Sequence, residues 1–481
     1  MKSLLTEPLG LYGWAGLEPV LLAALASEEP LLLVGPHGCA KSFVLERLAE
    51  SLGLVFRSYN ASLLNYDDLV GIPMPDESRS SLRYVATPES IWDAEVVFVD
   101  EINRTRPDLQ NKLFPIVHDR RVQGRTLERL RYRWAAMNPP PDEDADDAAP
   151  GAGGAEDYLG AEPLDPALAD RFPFVAAVPD WSALSEDDRR AILADQFRGR
   201  HEFPVPVAEL VAEAKAAFEA AKATLADGLA DYVLELVPLL RAAGFDVSTR
   251  RATMLHRGAL AVHAARVALA RRASPPETPD LYASALLALR CGLPDRARRP
   301  LSEVRLAAIC RQAWDLSQTA RGSAEWSVMR EPDPRRRLEA AVPRQAELPA
   351  DALAAIVCDG VAATPAPHRR ALALATYLAL RGRADLPASA METLATEIAP
   401  ALEPGTTETA VAMPKAGIAR EVESQRAAVD GRFPAPTAAE LRHHHANLLH
   451  SFLPDGYRSK GEVGELSDGF VRLWKRFSLP C

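Results

Sequence analysis

The chain predicts an α/β domain with a mostly parallel sheet over residues 1–180, followed by sequence that is almost entirely helical. Three observations carry this. Short apolar runs separated by helix- or loop-length segments recur through the first third. After Pro179 the character changes to Ala, Leu, Glu and Arg at a 3.6-residue period, and toward the C-terminus prolines repeatedly break that pattern.

In order, Leu31–Val34 is an apolar run that enters a Gly-containing turn, and Ser42–Leu52 follows with Val44, Leu45, Leu48 and Leu52 at helical spacing. Further strands are expected at Leu54–Tyr59, Glu95–Asp100, Leu130–Met137 and Phe172–Val178. Between Asn138 and Pro163 lie eight Asp and Glu residues and no Lys or Arg, among them Asp142, Glu143, Asp144, Asp146 and Asp147. This acidic loop, about residues 140–155, reads as a solvated surface loop, with docking of a basic partner as the alternative. The long helical patterns are Val207–Ala243 and Arg250–Arg272, with a linker at Pro275–Pro279. The expected division is therefore 1–180, a helical domain over 181–275, and a mainly helical region over 276–481.

Of the 481 residues, 48% are hydrophobic and 25% charged, the proportions of an ordinary globular protein with more than one domain. The net charge of −11 advertises no basic surface for nucleic acid. Five scattered cysteines with no C-x-x-C pair suit reduced thiols, and no run of 18 apolar residues suggests a membrane span. A cytoplasmic protein without a structural zinc site is the expectation.

The sharpest motif is Gly35-Pro36-His37-Gly38-Cys39-Ala40-Lys41-Ser42, lying directly between an apolar strand and an amphipathic helix. In that setting successive backbone N–H groups and a helix N-terminus hold phosphates, Lys41 supplies a point charge, and the Ser42 hydroxyl ligates Mg²⁺. Ala40 stands where Gly is usual, which a negative φ would permit. About 60 residues on, Val96-Val97-Phe98-Val99 ends in Asp100-Glu101. A buried strand brings Asp100 to its carboxyl end to hold Mg²⁺ through water, and Glu101 orients and deprotonates an attacking water. Asn138, ending another strand, is placed to bond a γ-phosphate or the lytic water if its strand lies between the first two. Arg171 before the last strand and Arg250 in Ser248-Thr249-Arg250-Arg251 are candidate phosphate contacts, one from a neighbouring subunit and one in cis.

Together the strings GPHGCAKS, VVFVDEINRT, AAMNP, DYLGAEPLDPALADRF and VSTRRA resemble the MoxR branch of AAA+ ATPases over roughly residues 9–275. Asp67–Gly71 followed by Tyr84–Trp92 is similar to that branch's helix-2 insert. The resemblance implies a P-loop AAA+ αβα sandwich with a parallel sheet and a helical lid. It makes Gly35 to Ser42 the nucleotide-binding loop, Ser42 and Asp100 the Mg²⁺ ligands, and Glu101 the catalytic base. It makes Asn138 sensor 1, Arg171 an arginine finger and Arg250 sensor 2, with Asn60 restraining Glu101. It further implies an ATP- and Mg²⁺-dependent homo-oligomer, a hexameric ring, that remodels a protein client in a chaperone-like way with a von Willebrand A-domain partner. Motion on nucleic acid, and a nucleotide-gated scaffold with little turnover, are the competing readings; the near-neutral segment 72–92 argues against the first. The resemblance does not reach the C-terminal region.

Weaker features are Cys39, which reads as a small residue tolerated in the loop, with a redox switch through a thiol pKa lowered at the helix N-terminus as the alternative; the run His443-His444-His445 with His450, which lacks a carboxylate to complete a metal site; and the basic clusters Arg335-Arg336-Arg337 and Arg296, Arg298, Arg299, which read as solvated faces, with contact to phosphate or an acidic partner as the alternative.

Overall fold

The structure, a computed structural model, describes residues 3–75, 82–139, 164–195, 206–273, 278–402, 416–433, 438–452 and 459–479. The acidic loop lies outside these. The chain divides into two compact units, Met1–Ser317 and Gln318–Cys481.

The first unit begins with helix α1 (Glu18–Ser27), strand β1 (Leu31–Val34), α2 (Lys41–Ser51), β2 (Phe56–Asn60) and α3 (Tyr66–Val70). The hairpin β3 (Ile72–Pro75) and β4 (Leu82–Val85) is followed by β5 (Val96–Asp100), α4 (Pro107–Asp119) and the short pair β6 (Arg121–Val122) and β7 (Arg125–Thr126). Then come β8 (Tyr132–Met137), α5 (Pro166–Ala169), β9 (Phe174–Ala177) and α6 (Glu186–Asp195). Four further helices complete the unit: α7 (Val207–Ala242), α8 (Thr249–Arg271), α9 (Leu281–Arg290) and α10 (Glu303–Gln318), the last ending at the division.

Five strands form one parallel sheet in the order β2-β5-β8-β1-β9. All residues of β1 and β8 are buried, as central strands covered on both faces require. Side chains alternate across each strand: Leu32, Val34, Val97, Val99, Ala135, Met137 and Val175 share one core with Leu109, Leu113 and Ile116 of α4. Phe174 points the other way, onto Gly258 of α8, where a β-carbon would sit 3.7 Å from its ring. An α-β-α sandwich results.

The strands expected from sequence are present: Leu31–Val34 coincides, and the others start one or two residues later than expected, with β2 ending one residue later and β9 one residue earlier. The β3–β4 hairpin was not expected, because Ile72-Pro73-Met74-Pro75 places two prolines in one strand; an isolated two-stranded ribbon tolerates them.

The division after Ser317, rather than near 275, has a physical cause. The Cys291 carbonyl, at the end of α9, accepts from Val175 N–H of β9 at 2.7 Å, and Ala297 joins the core shared with α4. Arg251 reinforces this. Its side chain is wholly buried, pairing with Asp170 at 3.1 Å and donating to the carbonyls of Phe172 (2.9 Å) and Gly292 (3.0 Å). Ser248 caps α8 by accepting from Arg251 N–H and also donates to Asp170 at 3.2 Å.

The second unit is helical throughout its described residues: α11 (Ala324–Met329), α12 (Pro334–Ala341), α13 (Ala350–Ala362), α14 (Ala366–Leu380), α15 (Ala388–Leu402), α16 (Ala416–Arg432), α17 (Ala439–His450) and α18 (Lys460–Arg476). Its own core includes Leu338, Val357, Leu374, Leu394, Leu441, Leu466, Phe470 and Trp474. His445 is buried there and bonds Ser467 at 2.9 Å; burial pushes its pKa down to about 4, so it is neutral at pH 7. No group of three or more His, Cys, Asp or Glu side chains positioned for a metal occurs among the described residues.

Arg251→Ala is expected to lower unfolding stability by about 3 kcal/mol, since it strips Asp170 and two buried carbonyls of their partner. Chemical denaturation of the full chain, followed by near-UV signal from the first unit's tryptophans, measures it.

Candidate active site

The phosphate-binding loop runs from the end of β1 into α2. Gly35 is fixed by a close approach: a β-carbon there would meet Val178 Cγ2 at 2.2 Å, so no side chain fits. Ala40 takes φ +60°, ψ 23°, not the negative φ its β-carbon favours, and α2 starts at the next residue. The loop therefore holds a left-handed residue without the glycine that would relieve it.

Lys41 is buried beneath this loop. Its Nζ donates to the carbonyls of Gly35 and Pro36, each at 2.7 Å, and reaches Asn138 Oδ1 at 3.4 Å. Burial lowers its pKa, opposed by Cys39, Asp100 and Glu101. Ser42 Oγ donates to Asp100 Oδ2 at 2.7 Å. A hydroxyl and a carboxylate oxygen this close, at the mouth of a phosphate loop, form a donor pair suited to a hard cation that takes its remaining ligands from phosphate and water.

Strand order explains why these groups meet. Because β8 lies between β1 and β5, Asn138 emerges between the loop and Asp100-Glu101. Its amide bridges: Oδ1 faces Lys41, and Nδ2 lies 3.1 Å from His37 Nε2. Nδ2 can only donate, so His37 Nε2 accepts here. Glu101 takes φ +52° and pairs with Arg104 at 3.3 Å, which turns its carboxylate. Residues 37 to 43 line a cavity of about 350 Å³ with Asn60, Asp100, Glu101, Met137 and Asn138. Asn60 Oδ1 accepts from Ser62 N–H (2.9 Å) and Ser62 Oγ (2.6 Å), so its acceptor is turned to its own loop rather than to Glu101.

A second cavity, of about 380 Å³, shares His37, Gly38, Cys39 and Ala40 with the first. Its far wall is Leu11, Tyr12, Trp14, Trp181, Leu184 and Ile192, an apolar setting for a flat ring next to a phosphate site. Sequence reading missed this wall, because its residues come from two segments far apart in the chain. Glu18 anchors one of them. Its carboxylate accepts from Ser3 Oγ at 3.0 Å and from the amides of Leu5 and Thr6, and burial raises its pKa. Cys39 is half-buried, and burial raises its thiol pKa rather than lowering it; Lys41 opposes the shift but does not reverse it. The condition for an activated redox thiol is therefore not met.

Arg171 and Arg250 line neither cavity. Arg171 stacks 4.3 Å over the Phe114 ring and donates to the Ala167 carbonyl. Arg250 is partly exposed, 3.7 Å from Asp170. Asp170 thus gathers Arg250 and the buried Arg251 beside Arg171. Sequence reading named the two arginines and missed the carboxylate, although it sits in the same string as Arg171.

Ala40→Gly is expected to stabilise the protein by about 1 kcal/mol by relieving the left-handed β-carbon, without loss of nucleotide binding. The midpoint of thermal unfolding and a fluorescent-nucleotide titration measure the two parts.

The family model of the AAA domain, dynein-related subfamily, matches residues 30–172. Among solved structures, one from Cytophaga hutchinsonii, described as a "putative ATPase", is 18% identical with a TM-score of 0.44, covering 63% of this chain and 92% of that one. The matched segment holds the loop before Lys41, the pair Asp100-Glu101 and Asn138, and ends just past Arg171, so this part of the chain is similar to an AAA domain of the dynein-related subfamily.

Proposed function

We propose that this protein is a Mg²⁺-dependent ATPase of the MoxR kind that works as a cytoplasmic homo-oligomeric ring, of six subunits, to remodel a protein client. The observation that supports it best is the convergence of Lys41, Ser42, Asp100, Glu101 and Asn138 on one cavity beside an apolar ring pocket.

ATP lies with its base against Leu11, Trp14 and Trp181 and its phosphates on the loop amides of residues 37–42. Lys41 exchanges its bonds to the Gly35 and Pro36 carbonyls for phosphate oxygens. Ser42 and Asp100 hold the cation, which when bound neutralises charge on the phosphates. Glu101 accepts the proton of a water as its oxygen attacks the γ-phosphorus; the bond to the β-bridging oxygen breaks, giving ADP and phosphate. Asn138 orients that water or the γ-phosphate, held in turn by His37. Arg171, outside its own subunit's cavity, reaches the γ-phosphate of an adjacent copy, and Arg250 closes on the γ-phosphate of its own subunit, so that the γ-phosphate links nucleotide state to subunit angle. A von Willebrand A-domain protein is the partner class suggested by the MoxR resemblance. No helix among the described residues is long and apolar enough to cross a membrane.

Glu101→Gln is expected to retain ATP binding and lose turnover by about a hundredfold or more. Arg171→Ala is expected to lose turnover only in the assembled ring, and single-stranded DNA is expected to leave the wild-type rate unchanged. Turnover assays with light scattering test all three. DNA stimulation would instead favour a translocase, and a monomer whose turnover neither variant alters would overturn the proposal.

His37→Ala is expected to lower kcat roughly threefold to tenfold, the equivalent of one net hydrogen bond to Asn138, with little change in KM for ATP. His37→Gln, whose amide oxygen accepts at about the position of the His37 Nε2, is expected to restore much of the loss.

A further inference from the structure

The second unit contains an open cleft of about 760 Å³ whose wall is mostly charged, with Arg335, Arg432, Arg472 and Lys475 against Glu465 and Asp468, and with His368 and Val471 completing it. The residues come from four helices. Arg335 lies on α12, His368 on α14 and Arg432 at the end of α16. Glu465, Asp468, Arg472 and Lys475 fall on one face of α18, at spacings of three and four. The basic triplet at 335–337 is split by the helix it starts. Arg337 is buried, donating to the Glu331 carbonyl at 2.9 Å, while Arg335 turns to the cleft.

These charges are not neutralised by one another. Arg335 pairs with Glu339, which also takes Arg476. Arg432 and Lys475 rest against the Phe433 ring, at 5.6 and 5.2 Å, and neither they nor Arg472 form an ion pair among the described residues. The other arginine cluster behaves differently: Arg290 and Arg296 pair with Glu303, and Arg299 with Asp295. Unpaired cations that converge on one volume await an anion.

We propose that this cleft docks an acidic peptide segment of a partner protein. Arginine and lysine cations spread over three helices suit carboxylates spaced along a chain rather than one compact anion, and guanidinium groups bind carboxylates in paired geometry. Glu465 and Asp468 set the polarity: they repel a continuous row of phosphates but accept a peptide's N–H groups or an interspersed basic side chain. Among the described residues no Phe, Tyr or Trp lines the cleft to stack a base, and the His368 imidazole is the one ring on its wall. A net charge of −11 disfavours unspecific attraction of an acidic probe, so binding at physiological ionic strength requires a local site.

The test uses the full chain and a fluorescein-labelled Asp-Glu-Gly repeat peptide of about a dozen residues, followed by anisotropy at physiological salt. The expected result is saturable binding that weakens about tenfold in Arg472→Ala/Lys475→Ala, the loss of two exposed ion pairs, and tightens in Glu465→Gln/Asp468→Asn. Thermal melting of both variants is expected to match the wild type, since these side chains are exposed. Oligothymidylate of matched charge is expected not to displace the peptide. Absence of binding, displacement by oligothymidylate at equal concentration, or binding indifferent to both double variants would each overturn the proposal.

Discussion

The active site depends on one topological constraint, the insertion of β8 between β1 and β5. In a parallel sheet every strand delivers its carboxyl end to the same edge, so adjacent strands bring their following residues within a few ångströms of one another. With β8 in the middle, Asn138 stands between the phosphate loop after β1 and the acid pair after β5, and contacts Lys41 and His37 at once. Were β1 and β5 neighbours, Lys41 and Asp100 would still meet, but no amide would lie between them. Burial on both faces makes the order hard to change. The inward residues Leu32, Val34, Val97, Val99, Ala135 and Met137 fill a single core, and a register slip of one residue would turn each to the wrong side.

Much of this was legible in the chain, because its signals are local. The run Leu31–Val34 followed by Gly35-Pro36-His37-Gly38 and then Lys41-Ser42 specifies strand, loop and helix within a dozen residues, and Val96–Asp100 specifies its strand by composition alone. Backbone conformation was not legible at Ala40, because a left-handed φ there is imposed by the loop around it and runs against the residue's own preference. Nor was the apolar wall made by Leu11, Trp14, Trp181 and Ile192, which no periodicity connects. Adjacent identical residues gave a third difficulty. Arg250 and Arg251 look alike in sequence, yet the helix turns one outward and buries the other completely against Asp170. Only the packing of α8 on the segment before β9 decides which is free to meet a phosphate.

The second unit shows the same separation of identical neighbours with a different outcome. Helical geometry sends Arg337 into the core side of α12 and Arg335 to the open side, so a triplet that reads as one basic patch is two unrelated environments. The histidine run behaves likewise. His445 is buried and neutral beside Ser467, whereas His443 faces Asn447 at 3.2 Å on the exposed side of α17. Adjacent residues on a helix diverge by about 100°, and a cluster in sequence becomes a cluster in space only at spacings of three and four, as in Glu465, Asp468, Arg472 and Lys475.

The bond from Val175 N–H to the Cys291 carbonyl bears on how the protein can be dissected. It caps the outer edge of β9, and Arg251 spends a further bond on Gly292 next to it. A fragment cut where the family resemblance ends, near residue 275, would leave that strand with an open N–H group at Val175 and would strip one of the bonds of the buried Arg251 guanidinium. Sheet edges exposed in this way recruit other strands. A piece that keeps the β9 edge covered must run past Ala297, and insolubility of a shorter one would report a missing edge rather than a defective site.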